Sequence, residues 1–231
     1  MTRLAGLLLA LALAAVAAHA SDPVSLGYSD QTVVIGPGPD ACAGGILIHN
    51  HDGSFENAYA WQYGGQRPPY YGAFGEGYNL GRGMVWCAVC WLTRGGDYPA
   101  TGDCYVWAGG FGAEPGEVLA LVSGVDFDPY YWPMVTQYDV EMNLAVDGPF
   151  TVGCWGDWPG HVAAWYCAAD LDGPGGHPWT CIAPGLGYPS GWRDPSIVWP
   201  AIRSMGFGAY FEQSTSVSSE TWGAIKAMFR E

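Results

Sequence analysis

Eight consecutive residues, His49-Asn50-His51-Asp52-Gly53-Ser54-Phe55-Glu56, gather two imidazoles and two carboxylates. On extended backbone, residues two apart share a face. His49 and His51 therefore form an H-x-H pair able to grip one metal ion, with Glu56 as a third ligand. The same run has a structural reading. Gly53 directly after Asp52 marks a turn, in which Asp52 and Glu56 accept backbone N–H groups as caps. A second acidic spot, Asp170-x-Asp172-Gly173, has the alternate oxygens and bending glycine that open a calcium loop, without the distal Glu of an EF-hand. One structural Ca²⁺ at Asp170/Asp172, or at Asp52/Glu56, is the cofactor these spacings allow, and no other is expected. There is no G-x-S-x-G and no H-E-x-x-H, so no residue is assigned a catalytic role.

Seven cysteines are the next chemical resource: Cys42, Cys87, Cys90, Cys104, Cys154, Cys167 and Cys181. In an exported chain the default use is disulfides. Cys87 and Cys90 lie three apart in a run that reads as a strand, and so point to opposite faces. Two apparent hairpins then set the pairing. The turn 94–99 separates strands carrying Cys90 and Cys104, and the turn 170–176 separates those carrying Cys167 and Cys181. The expected bonds are Cys167–Cys181 and Cys90–Cys104, with Cys87–Cys154 third and Cys42 left over.

Aromatic loops are the binding candidates. Pro68-Pro69-Tyr70-Tyr71, Pro129-Tyr130-Tyr131-Trp132-Pro133 and Trp155-Gly156-Asp157-Trp158 set flat rings beside Pro and Gly. Sugar C–H faces stack on exposed rings, so Tyr131, Trp132, Trp158 and Tyr70 are candidates for a glycan or extracellular protein. The competing use of these rings is to cover the open ends of the fold.

The elements that must position these groups are short. Thirty-five Gly and 17 Pro speak against long helices, whereas 12 Trp and 14 Tyr demand a packed core. Apolar runs broken by Gly, Pro and Asp predict strands near 32–35, 45–49, 57–63, 72–80, 84–92, 103–108, 117–123, 137–146, 150–155, 162–168, 179–184 and 207–212. The run 84–92 is apolar throughout, as a central strand buried on both faces should be, and 137–144 alternates like a half-exposed one. The expected fold class is all-β, a single jelly-roll-like antiparallel β-sandwich.

The ends differ. Residues 1–20, with Arg3 before an apolar run and Ala18-His19-Ala20 before Ser21, read as a secretory signal peptide, too short for a transmembrane segment. The sandwich is placed at 21–212, a flexible linker at 213–219 and a short C-terminal amphipathic helix at 220–231, with Trp222, Ile225, Met228 and Phe229 on one face. Such a tail could contact a sorting or envelope partner. Net charge is −14, and the basic residues from 21 to 205 are Arg67, Arg82, Arg94, Arg193 and Arg203. Nucleic acid is excluded as a partner, because phosphate binding needs clustered Lys and Arg.

His49, His51 and Glu56 resemble the first metal-binding motif of cupins, which implies a metal-dependent enzyme with these three as ligands. The cupin second motif has no counterpart at its usual spacing, since His161 and His177 lie over 100 residues on. Asp52-Gly53-Ser54-Phe55-Glu56-Asn57-Ala58 resembles the D-G-[ST]-x-E-x-A opening of an uncharacterised bacterial family of secreted β-sandwich modules. Gly72-Ala73-Phe74-Gly75-Glu76 and Asp172-Gly173-Pro174-Gly175-Gly176 follow in the family's order. That resemblance implies a jelly-roll-like accessory fold and no particular activity. The expectation is a secreted, non-catalytic module binding glycan or protein. The alternatives are a cupin-like enzyme and an envelope component sorted through its tail.

Overall fold

The computed structural model describes residues 23–37, 42, 44–61, 70–97, 101–156 and 163–214. The segments expected as signal peptide and C-terminal helix, and Trp158, lie outside the described residues. Two sheets face each other. The first runs β1 (Pro23–Ser25), β4 (Asn57–Trp61), β11 (Tyr166–Asp170), β6 (Arg82–Thr93), β15 (Phe207–Gln213), β3 (Ile46–His49). β14 (Ser204–Met205) pairs with β11, β9 (Met134–Asp147) runs antiparallel to β6, and β2 (Val33–Ile35) lies parallel to β9. The second sheet runs β13 (Gly191–Arg193), β12 (Pro178–Ile182), β5 (Phe74–Tyr78), β10 (Phe150–Trp155), β7 (Thr101–Gly109), β8 (Pro115–Asp126). A single 3₁₀ turn, Pro195–Ile197, capped by the Asp194 carboxylate on Ser196 N–H, is the only helical element among the described residues.

All twelve strands expected from the sequence are present in some form, and the all-β class holds. Missed were β1, β13 and β14, each two or three residues long and too short to show a period.

Strand alternation explains the abundance of aromatics. On β7, Cys104 and Val106 face the core between the sheets, while Tyr105 and Trp107 join Ala73, Trp155 and Trp192 in a second apolar cluster on the outer face. On β6, Cys90 and Leu92 face inward. Val89 and Trp91 pack outward with Phe55, Val135 and Ala168. The central strand is thus buried on both faces, as its unbroken apolar run implies. Along β9, Val140 and Val146 are buried whereas Glu141, Asn143 and Ala145 are exposed, matching the expected half-exposed strand.

The disulfide expectations are corrected. Both apparent hairpins are corners between the sheets: β6 and β11 belong to the first, β7 and β12 to the second. Cys167 faces the main core opposite Tyr59 and Leu92, while Cys181 sits in the outer cluster opposite Trp192. No bond can join them. Cys90 and Cys104 do meet across the sandwich, as thiols 3.6 Å apart, with Cys154 beside both. Cys87 is bonded to Cys42 rather than Cys154, so Cys42 is not the odd one out. Cys87 and Cys90 do diverge to opposite faces, as their spacing requires.

Candidate functional site

The end of β3 and the β4 approach form a tight turn. Gly53 has φ 103°, and the Asp52 carboxylate accepts Ser54 N–H and Oγ–H, each at 2.8 Å. These bonds, the N–H first, hold Asp52 below the usual carboxylate range. The turn is stitched to the corner after β11, which is more than 110 residues away. Asp170 Oδ2 accepts Asp52 N–H at 3.0 Å, and its Oδ1 accepts Asp172 N–H and Gly173 N–H. Glu56 returns the contact, with Oε2 accepting Leu171 N–H at 2.8 Å and Oε1 accepting the Ser54 hydroxyl. A Cβ at residue 173 would overlap the Asp170 carboxylate, which is why glycine stands there.

Glu56, Asp170 and Asp172 therefore converge, merging the two spots read as calcium candidates. Both oxygens of Asp170 and Oε2 of Glu56 already accept main-chain N–H groups, while Glu56 Oε1 shares the single Ser54 hydroxyl proton with Asp52. The arrangement is that of a paired turn cap.

The histidines do not join that group. Their rings stack on each other, with centroids 4.2 Å apart. His49 donates Nδ1–H to His51 O at 2.8 Å, and His51 Nδ1 accepts Gly53 N–H at 3.1 Å. His51 is buried against Trp91 and Phe55, and its Nε2 has no hydrogen-bond partner. Burial first, and His49 second, push its pKa down to about 3. The H-x-H pair shares a face, yet the Nδ1 atom of each ring is taken by a main-chain group and Glu56 turns to Leu171. The cupin-like ligand set His49/His51/Glu56 is not assembled.

A second carboxylate is buried deeper. Glu76, in the middle of β5, is fully enclosed, and accepts Asn50 Nδ2–H at 2.7 Å, His177 N–H at 2.5 Å and Met205 N–H at 2.9 Å. Burial raises its pKa to about 7, outweighing these three donors. Gly176 leaves room for this carboxylate, since a Cβ there would overlap Oε1. The Asp-Gly-Pro-Gly-Gly corner is thus shaped by two acids, Asp170 and Glu76.

The third cluster is sulfur. Cys104 and Cys154 are directly opposed on β7 and β10, and Cys90 meets them from β6. Burial pushes Cys90 and Cys154 well above the ordinary thiol value. Burial also raises Cys104, but hydrogen bonds from Cys154 and Cys90 outweigh it and hold that thiol below the ordinary value.

The fourth feature is an aromatic ledge. Tyr130 and Tyr131 are 50% and 39% exposed, so both stand open to solvent. Their backbone is pinned to the end of β6: Arg94 N–H and Thr93 Oγ1–H both donate to Tyr130 O, and Trp132 N–H donates to Arg94 O. The Arg94 guanidinium lies 4.6 Å from the Tyr131 ring centre and pairs with Asp128 at 2.9 Å.

No family model, curated protein or solved structure matches this chain. Function must then be read from the clusters themselves.

Of the residues singled out for binding, Tyr131 alone keeps an open ring among those described. Trp132 is half-buried between two apolar clusters, and Tyr70 packs edge-on against Tyr105 and Trp107. Tyr130 joins the ledge; its place in the Pro-Tyr-Tyr-Trp-Pro run was visible, but strand parity does not extend into a loop. Glu76 carried no signal beyond being an acid between glycines. Cys154 needed the sheet-to-sheet pairing before it could be placed.

Proposed function

We propose that this protein is a secreted, non-catalytic β-sandwich module that binds glycan through the Tyr130–Tyr131 ledge. The observation that carries this reading is the contrast between its polar groups and its rings. Asp170, Glu76 and Glu56 accept main-chain N–H groups and His51 is sealed under Trp91, so these groups serve the fold. Tyr130 and Tyr131 stand exposed on backbone fixed by three strand residues, Thr93, Met134 and Thr136, and by Arg94 just past β6. Rigid aromatic faces beside a carboxylate, here Asp128, match the apolar face and hydroxyl edge of a sugar ring. Pre-fixed rings also lose little conformational freedom on binding.

A jelly-roll-like arrangement belongs to the same reading. It is supported by the way successive strands β4, β5, β6 and β7 alternate between sheets, as do β9, β10, β11 and β12. No helix among the described residues is long and apolar enough to cross a membrane. Export through residues 1–20 and attachment or sorting through 220–231 complete the proposal.

The test is a glycan-array screen followed by titration of the best ligand into the wild type and a Tyr130→Ala/Tyr131→Ala double variant. The expected result is at least a tenfold weaker Kd for the variant. Its folding stability should change by only about 1 kcal/mol, as expected for exposed side chains. A blank array, or equal affinity in the variant, overturns the reading.

A further inference from the structure

We propose that Cys90, Cys104 and Cys154 form an all-sulfur binding site for one Cu(I) ion in the core between the sheets. It stands independently of the aromatic ledge. The three Sγ atoms make a compact triangle with sides of 3.0, 3.2 and 3.6 Å, and all three residues are fully buried. The centre of that triangle lies about 1.9 Å from each sulfur. A metal–thiolate bond is about 2.3 Å, so each sulfur moves outward by only about 0.4 Å to hold an ion there. Bonding two of the sulfurs to each other instead requires the nearest pair to close by about 1 Å to reach a disulfide length of about 2.05 Å, and leaves the third without a role.

Ligand chemistry selects the ion. Thiolate donors without nitrogen or oxygen favour soft ions, Cu(I) and Zn²⁺ foremost. Zinc completes a tetrahedron, whereas three ligand atoms converge here among the described residues. The convergent group contains no His, Asp or Glu, and Cys167, facing the same core opposite Leu92, lies outside it. A closed, apolar, three-sulfur pocket suits three-coordinate Cu(I). Each sulfur binds as a thiolate, so its proton leaves to solvent as the ion enters. Copper stays Cu(I) throughout, so the step needs no oxidant or reductant.

The supports are rigid. Cys104 and Cys154 are opposed across antiparallel strands in the middle of the second sheet, and Cys90 comes from the central strand of the first. An ion here ties the two layers of the sandwich together, as a structural metal does in a small domain.

The test uses the full exported chain, reduced under anaerobic conditions and titrated with Cu(I) presented as its bathocuproine disulfonate complex. One equivalent should transfer to the wild type, with X-ray absorption showing only sulfur neighbours near the metal. Cys154→Ser and Cys104→Ala should each weaken retention at least 100-fold, while Cys181→Ala, outside the triangle, should not change it. Should the core variants fail to fold, the wild type still decides, because one equivalent of Cu(I) must raise its Tm and a second must not. No transfer to the reduced wild type, oxygen or nitrogen neighbours at the metal, or equal retention by folded Cys154→Ser overturns the proposal. So does a Cys90–Cys154 or Cys104–Cys154 disulfide mapped in protein isolated without reductant.

Discussion

Glu76→Gln and His51→Phe should tilt the pH dependence of stability in opposite directions. His51 has its pKa lowered from 6.5 to about 3, so the native state holds fewer protons than the unfolded chain. Its contribution is intact above pH 6.5 and is lost as pH falls toward 3. Glu76 is the reverse case, raised from 4.5 to about 7, with the native state holding the extra proton. Its contribution is present below pH 4.5 and is lost as pH rises through 7. Between pH 4.5 and 7 the two slopes nearly cancel. Removing Glu76 exposes the histidine slope, so the variant should gain about 2–3 kcal/mol relative to wild type on going from pH 4.5 to 7. Removing His51 should produce a relative loss of similar size, about 2–3 kcal/mol, over the same range. Urea melts at matched pH measure these differences, and referencing each variant to wild type removes the background of the other 21 acids. Parallel curves for wild type and Glu76→Gln would show that the native state does not hold an extra proton on Glu76.

Asp170→Ala should be the most damaging single change at the polar end. The carboxylate accepts three main-chain N–H groups, from Asp52, Asp172 and Gly173, and is itself fully buried. Leaving buried donors without acceptors costs about 1–3 kcal/mol each where water cannot replace the lost partner, so a total of about 3–5 kcal/mol is expected. Asp170→Asn keeps one carbonyl oxygen for Asp172 and Gly173 but sets an amide N–H₂ against Asp52 N–H. A loss of about 1–2 kcal/mol follows for that variant. Thermal melts of the three proteins should therefore rank wild type, Asn, Ala. Adding millimolar Ca²⁺ should leave the wild-type Tm unchanged, because both Asp170 oxygens and Glu56 Oε2 already accept main-chain N–H groups. A calcium-dependent rise in Tm that Asp170→Asn abolishes would reinstate the loop as a metal site.

Much of the fold was legible because it depends on local pattern. The unbroken apolar stretch around Met84 to Leu92 announced a strand covered on both sides, and the Asp52-Gly53 pair announced a turn capped by acids. Sheet membership was not legible. Arg94-Gly95-Gly96 and Asp172-Gly173-Pro174 look like hairpin turns, but a corner that carries the chain from one layer to the other uses the same glycines. The Cys167–Cys181 pairing failed for that reason, whereas the Cys42–Cys87 bond depends on a contact that no turn marks. Within the polar end, the convergence of Glu56 with Asp170 spans 114 positions and has no sequence period. Glu76 is the extreme case, since its burial is set by Asn50, His177 and Met205, drawn from three separate parts of the chain.

The place of the last strand has a consequence for how the chain is made. β15 lies between β6 and β3, pairing Phe207–Gln213 with Gly83–Cys90 on one side and Ile46–His49 on the other. Synthesis runs from the N-terminus, so β6 must wait for some 120 further residues, and β3 for some 160, before the strand that joins them is complete. Until then both carry open edges of unpaired N–H and C=O groups, a state prone to wrong partners. The molecule is therefore built to complete its first sheet only after the described part of the chain has been delivered whole. A ribosome-stalled fragment ending before Phe207 should remain sensitive to protease, whichever of its earlier hairpins have closed.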